Sequence, residues 1–150
     1  MRRMLILLPA VLMTVLATLT VGCGTEERRN MERLLAEADS MNRNYINFTT
    51  DSVMLAVVDY YDRCGTPNER MKAHYLLGCV YRDLEEAPKA LASFHDAVNY
   101  ADTMSTDCNL ALLSRIHGQI ATLLLNMQLP YEALDEAKVA EELAYNGSPA

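Results

Sequence analysis

His74-Tyr-Leu-Leu77-Gly78-Cys-Val-Tyr81, followed after a short break by Ala90-Leu-Ala-Ser-Phe94 and then Ala97, decides the fold. The apolar residues recur at helical spacing, and no window nearby shows the alternation of a strand. Gly78 and Ala90 are small enough to let two helix backbones approach, while Tyr81 and Phe94 are large enough to fill the space beside them. Between the two stretches, a short turn at 84–87 and Pro88 force the two helices to lie antiparallel. The same arrangement returns further along. Ala-Pro-Lys-Ala-Leu at 87–91 is matched by Leu-Pro-Tyr-Glu-Ala-Leu at 129–134, and aligning Ala90 with Ala133 sets a period of 43 residues. In that register Gly78 falls on Ala121, Tyr81 on Leu124, Phe94 on Ala137 and Ala97 on Ala140, so small residues meet small ones and most large apolar residues meet large ones. His74 falls on His117.

Outward from these two units the chain reads as helix throughout. Glycine and proline are few and sit at breaks: Gly65 and Pro67, Pro88, Pro130, Gly147 and Pro149. A first helix is expected from about Glu27 to Met41, with Leu34, Leu35, Ala38 and Met41 as its apolar stripe. A second begins near Asp51, with Thr50 or Asp51 as its N-cap, and stops at Cys64-Gly65. The third runs from just after Pro67-Asn68 to about Asp83, the fourth from Pro88 to about Asn99, the fifth from about Cys108 to Met127, and the sixth from Pro130 to Tyr145. The expected fold is therefore all-α: three antiparallel hairpins over about 27–64, 68–100 and 108–145.

The first of the two strong units resembles the tetratricopeptide repeat, whose pattern is Trp-x-x-Leu-Gly-x-x-Tyr, then Ala-x-x-x-Phe, then a further Ala. The matching residues are His74 (in the tryptophan place), Leu77, Gly78, Tyr81, Ala90, Phe94 and Ala97; the weaker second unit keeps Ala121, Leu124, Ala133 and Ala140. The period exceeds the family's, about 34 residues, and the excess falls in the polar connector Ala101–Cys108. Residues 27–64 carry almost no signature and read as a capping unit. A generic helical bundle is the alternative. The resemblance implies a short α-solenoid whose first helix in each pair lines a concave, partner-binding face. On the third helix Lys72, Tyr75, Cys79 and Arg82 share one stripe. The 43-residue shift carries that stripe to Arg115, Gly118, Thr122 and Leu125, beside Asn126. Lys72, Tyr75, Arg82, Arg115 and Asn126 are thus the candidate partner contacts, offering a cationic groove to an acidic protein or peptide; scattered solvated bases would look the same.

The N-terminus speaks to location. Arg2 and Arg3 precede an apolar run from Met4 to Val21, and Gly22 stands before Cys23. The segment resembles a bacterial lipoprotein signal over 1–22, which implies cleavage ahead of Cys23, lipidation of its thiol and a domain over 23–150. Thr20 stands where that family prefers an aliphatic residue. An ordinary cleaved signal or an uncleaved anchor also fits the run. Glu26-Glu27 resemble the acidic export tag of Bacteroidetes surface lipoproteins. Asp39-Ser40-Met41, Asp51-Ser52-Val53 and Asp102-Thr103-Met104 resemble that group's glycosylation triplet. Removal of Arg2 and Arg3 leaves twenty acidic against eleven basic residues, a net charge of −9. Nucleic acid is a poor partner for such a chain, and a body repelled from anionic lipid needs a tether to stay at a membrane.

Motifs for chemistry are missing: the sequence has no His-Glu-x-x-His, no Gly-x-Ser-x-Gly and no phosphate-binding glycine loop. His74, His95 and His117 could hold a metal only if they converged with a carboxylate; packing explains the two that are repeat equivalents. Cys64, Cys79 and Cys108 match no zinc spacing. Cys79 reads as a small core residue, and a Cys64–Cys108 bridge is open. The expectation is a cofactor-free, metal-free, non-enzymatic binding or scaffold module anchored in the cell envelope. The alternative is the N-terminal sensor portion of a longer repeat protein, since a further repeat could begin at Asn146-Gly-Ser-Pro-Ala150.

Overall fold

The computed structural model describes residues 24–147. The chain divides into two compact units, Met1–Asn30 and Met31–Ala150. Among the described residues there are six α-helices and no strand: α1 Thr25–Arg43, α2 Ser52–Cys64, α3 Pro67–Asp83, α4 Ala87–Asn99, α5 Leu110–Asn126 and α6 Pro130–Asn146. The protein is all-α. Residues 1–23, with the expected signal segment and Cys23, lie outside the described residues. No helix among the described ones is long and apolar enough to cross a membrane.

Local chemistry sets the helix ends. Thr66 caps α3 through a reciprocal box: its hydroxyl accepts from the Glu69 amide at 3.4 Å, and the Thr66 amide donates to Glu69 Oε2 at 2.8 Å. Asn109 caps α5 by accepting from the Leu112 amide at 3.0 Å, so that helix begins two residues later than the expected Cys108. At α2 the N-cap position belongs to Asp51, yet its carboxylate makes no capping bond because the residue already has helical backbone angles (φ −94°, ψ −15°). Thr50 does the work instead, its hydroxyl accepting from the Ser52 amide at 3.4 Å.

Three helices end in one motif. Tyr45, Glu85 and Gln128 take left-handed φ values of 56°, 60° and 64°. Just beyond each, an amide reaches back five residues: Ile46 to the Met41 carbonyl, Glu86 to Tyr81 and Leu129 to Leu124. This is the Schellman closure, made here without glycine. It gives a register independent of the apolar pattern. Residues 85 and 128 are 43 apart, as are the caps Thr66 and Asn109, whereas 45 and 85 are 40 apart. Ala38, Gly78 and Ala121 are then equivalent, a small residue in all three helices.

Close packing runs between α2 and α3, α3 and α4, α4 and α5, and α5 and α6. The tightest point lies between α3 and α4. A methyl built on Gly78 would come within 2.4 Å of the Phe94 ring, so only glycine fits. Phe94 is fully enclosed and stacks on Tyr75 with ring centroids 6.0 Å apart. Ala90 and Ala97 are equally inaccessible; Leu77, Tyr81, Leu124 and Ala133 are buried, and Ala121 and Ala140 half-buried. The long connector from α4 to α5 is held by Asn68 in the first turn of α3. Its amide donates to the Asp107 carbonyl at 2.6 Å, and its oxygen accepts from the Asn109 amide at 3.0 Å. Cys79 and Cys108 carry free thiols, so no Cys64–Cys108 bridge forms.

Candidate functional site

Helices α1, α3 and α5 share a cavity of about 440 Å³ whose helical lining includes Asn42, Tyr75, Arg82, Asp83, Arg115 and Gln119. Arg43 and residues 45–47 complete its edge. Three of the expected partner contacts meet here: Tyr75, Arg82 and Arg115. Two do not. Lys72 turns away to the buried Asp39, with Nζ 2.8 Å from Oδ2. Asn126 lies exposed at the C-terminal end of α5, outside the lining.

Arg82 is not a solvated cation as the groove reading expects. Its Nε and Nη2 donate to Asp83 Oδ1 at 2.9 and 2.8 Å, Nη1 donates to Gln119 Oε1 at 2.9 Å, and Nη2 also reaches Asn42 Oδ1 at 3.3 Å. One guanidinium thus ties α1, α3 and α5 together. Asp83 Oδ2 accepts the Phe48 amide at 3.2 Å, which fastens the segment after α1 to the end of α3. Asn42 donates from Nδ2 to the Tyr75 oxygen at 3.1 Å. Burial pushes the Tyr75 phenol up to about 12 and the Cys79 thiol up to about 11, so both are neutral at physiological pH.

Asp39, named from the sequence only within a glycosylation-like triplet, has a structural part that the sequence did not suggest. It is buried in α1 between Lys72 of α3 and Arg43 one turn on. Burial alone would raise its carboxyl; the hydrogen bonds and charges of Lys72 and Arg43 outweigh that and hold it below the ordinary range. In the cavity lining, three cations, Arg43, Arg82 and Arg115, face one described carboxylate, Asp83, in a chain whose formal net charge is −7. The local sign opposes the global one. Arg115 alone of the three has no hydrogen bond or ion pair among the described residues.

The repeat-equivalent histidines are polar braces rather than apolar filling. His74 Nε2 lies 3.0 Å from Asp62 Oδ1 of α2, with Asp96 at 3.9 Å from Nδ1 and the Tyr100 ring 5.0 Å away. His117 Nδ1 lies 2.6 Å from Glu136 Oε2 of α6. His95 is exposed. Among the described residues no three metal-ligating side chains converge. No family model, curated protein or solved structure matches this chain.

Proposed function

We propose that this protein is a membrane-anchored binding module of tetratricopeptide type, which takes an acidic protein or peptide in the cavity of α1, α3 and α5 and performs no catalysis. One observation carries the reading: an acidic chain gathers an excess of cations around a cavity and leaves one of them, Arg115, without a hydrogen bond or ion pair among the described residues. Electrostatic complementarity of that kind selects partners and speeds encounter. The helices that line the cavity, α3 and α5, are the first members of the two repeat-like pairs, in keeping with the concave-face habit of helix-pair repeats. The anchor rests on the lipoprotein-like segment ahead of Cys23 and puts the module in the bacterial envelope; a native N-terminus other than an acylated Cys23, read by mass spectrometry, would remove it.

The test of binding is a titration of a fluorescein-labelled hexaglutamate peptide by anisotropy. Affinity should fall steeply with salt, since the Debye length is about 8 Å near 0.15 M. Arg115→Glu should weaken it more than tenfold, about 1.4 kcal/mol, and leave the circular dichroism spectrum unchanged because Arg115 braces nothing. Equal affinity for the reversed variant, or no binding by the unmodified protein, sinks the reading.

A further inference from the structure

Within the helices, several of the cavity's hydrogen-bond acceptors already hold a donor. Asp83 uses one carboxylate oxygen for Arg82 and the other for the Phe48 amide. Asn42 Oδ1 and Gln119 Oε1 both accept from Arg82, and the Tyr75 oxygen accepts from Asn42. Two donor groups of the α5 lining, the Gln119 Nε2 amide and the Arg115 guanidinium, make no hydrogen bond among the described residues. These two residues lie four apart on α5, hence on one face. The amide cannot reverse, because a flip would set its NH2 group against the guanidinium of Arg82, donor to donor.

The repeat register explains why Arg115 is open. Lys72 and Arg115 are equivalent across the 43-residue shift, and the Schellman turns make Asp39 equivalent to Cys79. In the first step from helix to helix, the carboxylate of Asp39 holds Lys72. In the second step the equivalent residue is Cys79, a thiol, so the carboxylate that Lys72 has is not repeated for Arg115.

Building on the proposed binding role, we infer that Gln119 and Arg115 form a two-donor cradle for a peptide-borne carboxylate, with Arg82 as the positioning residue that aims the Gln119 amide. The cradle favours an Asp or Glu side chain over Asn or Gln, because an amide can meet the two donors with its one oxygen only, whereas both oxygens of a charged carboxylate accept.

Gln119→Glu separates this role from a bracing one. The variant keeps an oxygen for Arg82, so the brace survives, but it replaces the open donor with an acceptor. Thr122→Glu adds the same charge to an exposed position one turn on and controls for simple repulsion. Against the labelled hexaglutamate peptide, Gln119→Glu should bind at least tenfold more weakly and Thr122→Glu within threefold of the unmodified protein. Arg82→Met should erase the preference for hexaglutamate over hexaglutamine, while Arg82→Lys, which keeps a donor for Gln119, should retain it; loss of stability alone does not change that ratio. If Arg115→Glu abolishes binding and Gln119→Glu does not, the groove stands and the cradle falls. If the unmodified protein ignores hexaglutamate, both fall. Displacement of the peptide by an equal concentration of glutarate would overturn its assignment to a peptide.

Discussion

Hairpins α3–α4 and α5–α6 share one template 43 residues apart, with matching caps and matching left-handed turns, yet they differ in how much surrounds them. α3 is buried along its whole middle, from Ala73 to Tyr81, because α2 and α4 pack closely on it and α1 reaches it through Asp39 and Asn42. α5 buries only the stripe Leu112, Leu113, Ile116, Ile120, Leu123 and Leu124. On α6 only Ala133 is buried. The lesson is that a hairpin's sequence sets its internal contact, while its neighbours decide which other positions become core. Position 78 tolerates no side chain; Gly118, also a mid-helix glycine, has nothing within 4 Å of the place a methyl would occupy.

The largest effect should come from breaking the tighter hairpin. Gly78→Leu drives a branched side chain into the Phe94 ring, where even a Cβ meets carbon at 2.4 Å. Overpacking costs about 1–3 kcal/mol and occasionally more; a site with no room for a first carbon belongs at or above the top of that range. Against a total stability of roughly 5–15 kcal/mol, the thermal midpoint should drop by many degrees. Leucine at the half-buried equivalent, Ala121, should cost clearly less. Equal losses would mean that the two hairpins are packed alike.

The second difference is electrostatic. The buried Asp39 clamps Lys72, whereas Arg115, in the equivalent place, is unclamped. Asp39→Asn should therefore destabilise the protein by about 1.5–3 kcal/mol at pH 7, the usual worth of hydrogen bonds to a charged group. The sign with pH follows from the direction of the shift. The folded carboxyl lies below its unfolded value of about 3.9, so its contribution is complete above that pH and is lost as pH falls through the folded value. Urea titrations at pH 7 and pH 3 should show the gap between variant and parent narrowing in acid. A gap that is constant across that range would remove Asp39 from the acid response.

Much of this architecture is legible in the sequence. Prolines at 67, 88 and 130 mark helix starts, and the Gly78, Ala90 and Phe94 spacing names the contact that the structure builds between α3 and α4. Residues 27–64 are less legible as a pair. The connector after α1 is long, and Asp39 and Asn42 of α1 bond to Lys72 and Tyr75 of α3. The Schellman turns escape a reading of the sequence because Tyr45, Glu85 and Gln128 are not glycine. The site is half legible. Helical spacing places Tyr75 and Arg82 on one face of α3, and the 43-residue shift adds Arg115 on α5, but neither can tell a bound cation from a free one, and Lys72 and Arg82 prove to be bound. Gln119 is missed for a definite reason: the 43-residue shift lays it on Leu76, a fully buried residue, and only the thinner surroundings of α5 leave room for a polar side chain there.

The smallest effect sharpens the contrast from the loose side and has the opposite sign. Gly118 stands in mid-α5 with open space where a methyl would go, and it makes no use of glycine's freedom, since no glycine in the described residues has a positive φ. Its hydroxyl-bearing neighbour Thr122 bonds the Gly118 carbonyl at 2.9 Å, a backbone contact that alanine preserves. Glycine in a helix interior is about 0.8–1.0 kcal/mol worse than alanine, chiefly because the unfolded chain loses more freedom on folding. Gly118→Ala should therefore stabilise the protein by up to about 1 kcal/mol, a rise of roughly 2–4 °C in midpoint for a chain of this size. The same change at Gly78 should lower the midpoint, because the added carbon meets Phe94. Calorimetry on the two alanine variants thus reads two glycines at opposite signs. If both variants shift the same way, the α5–α6 hairpin is enclosed in solution by something that covers the face around Gly118, and the contrast between the two hairpins belongs to the isolated chain alone.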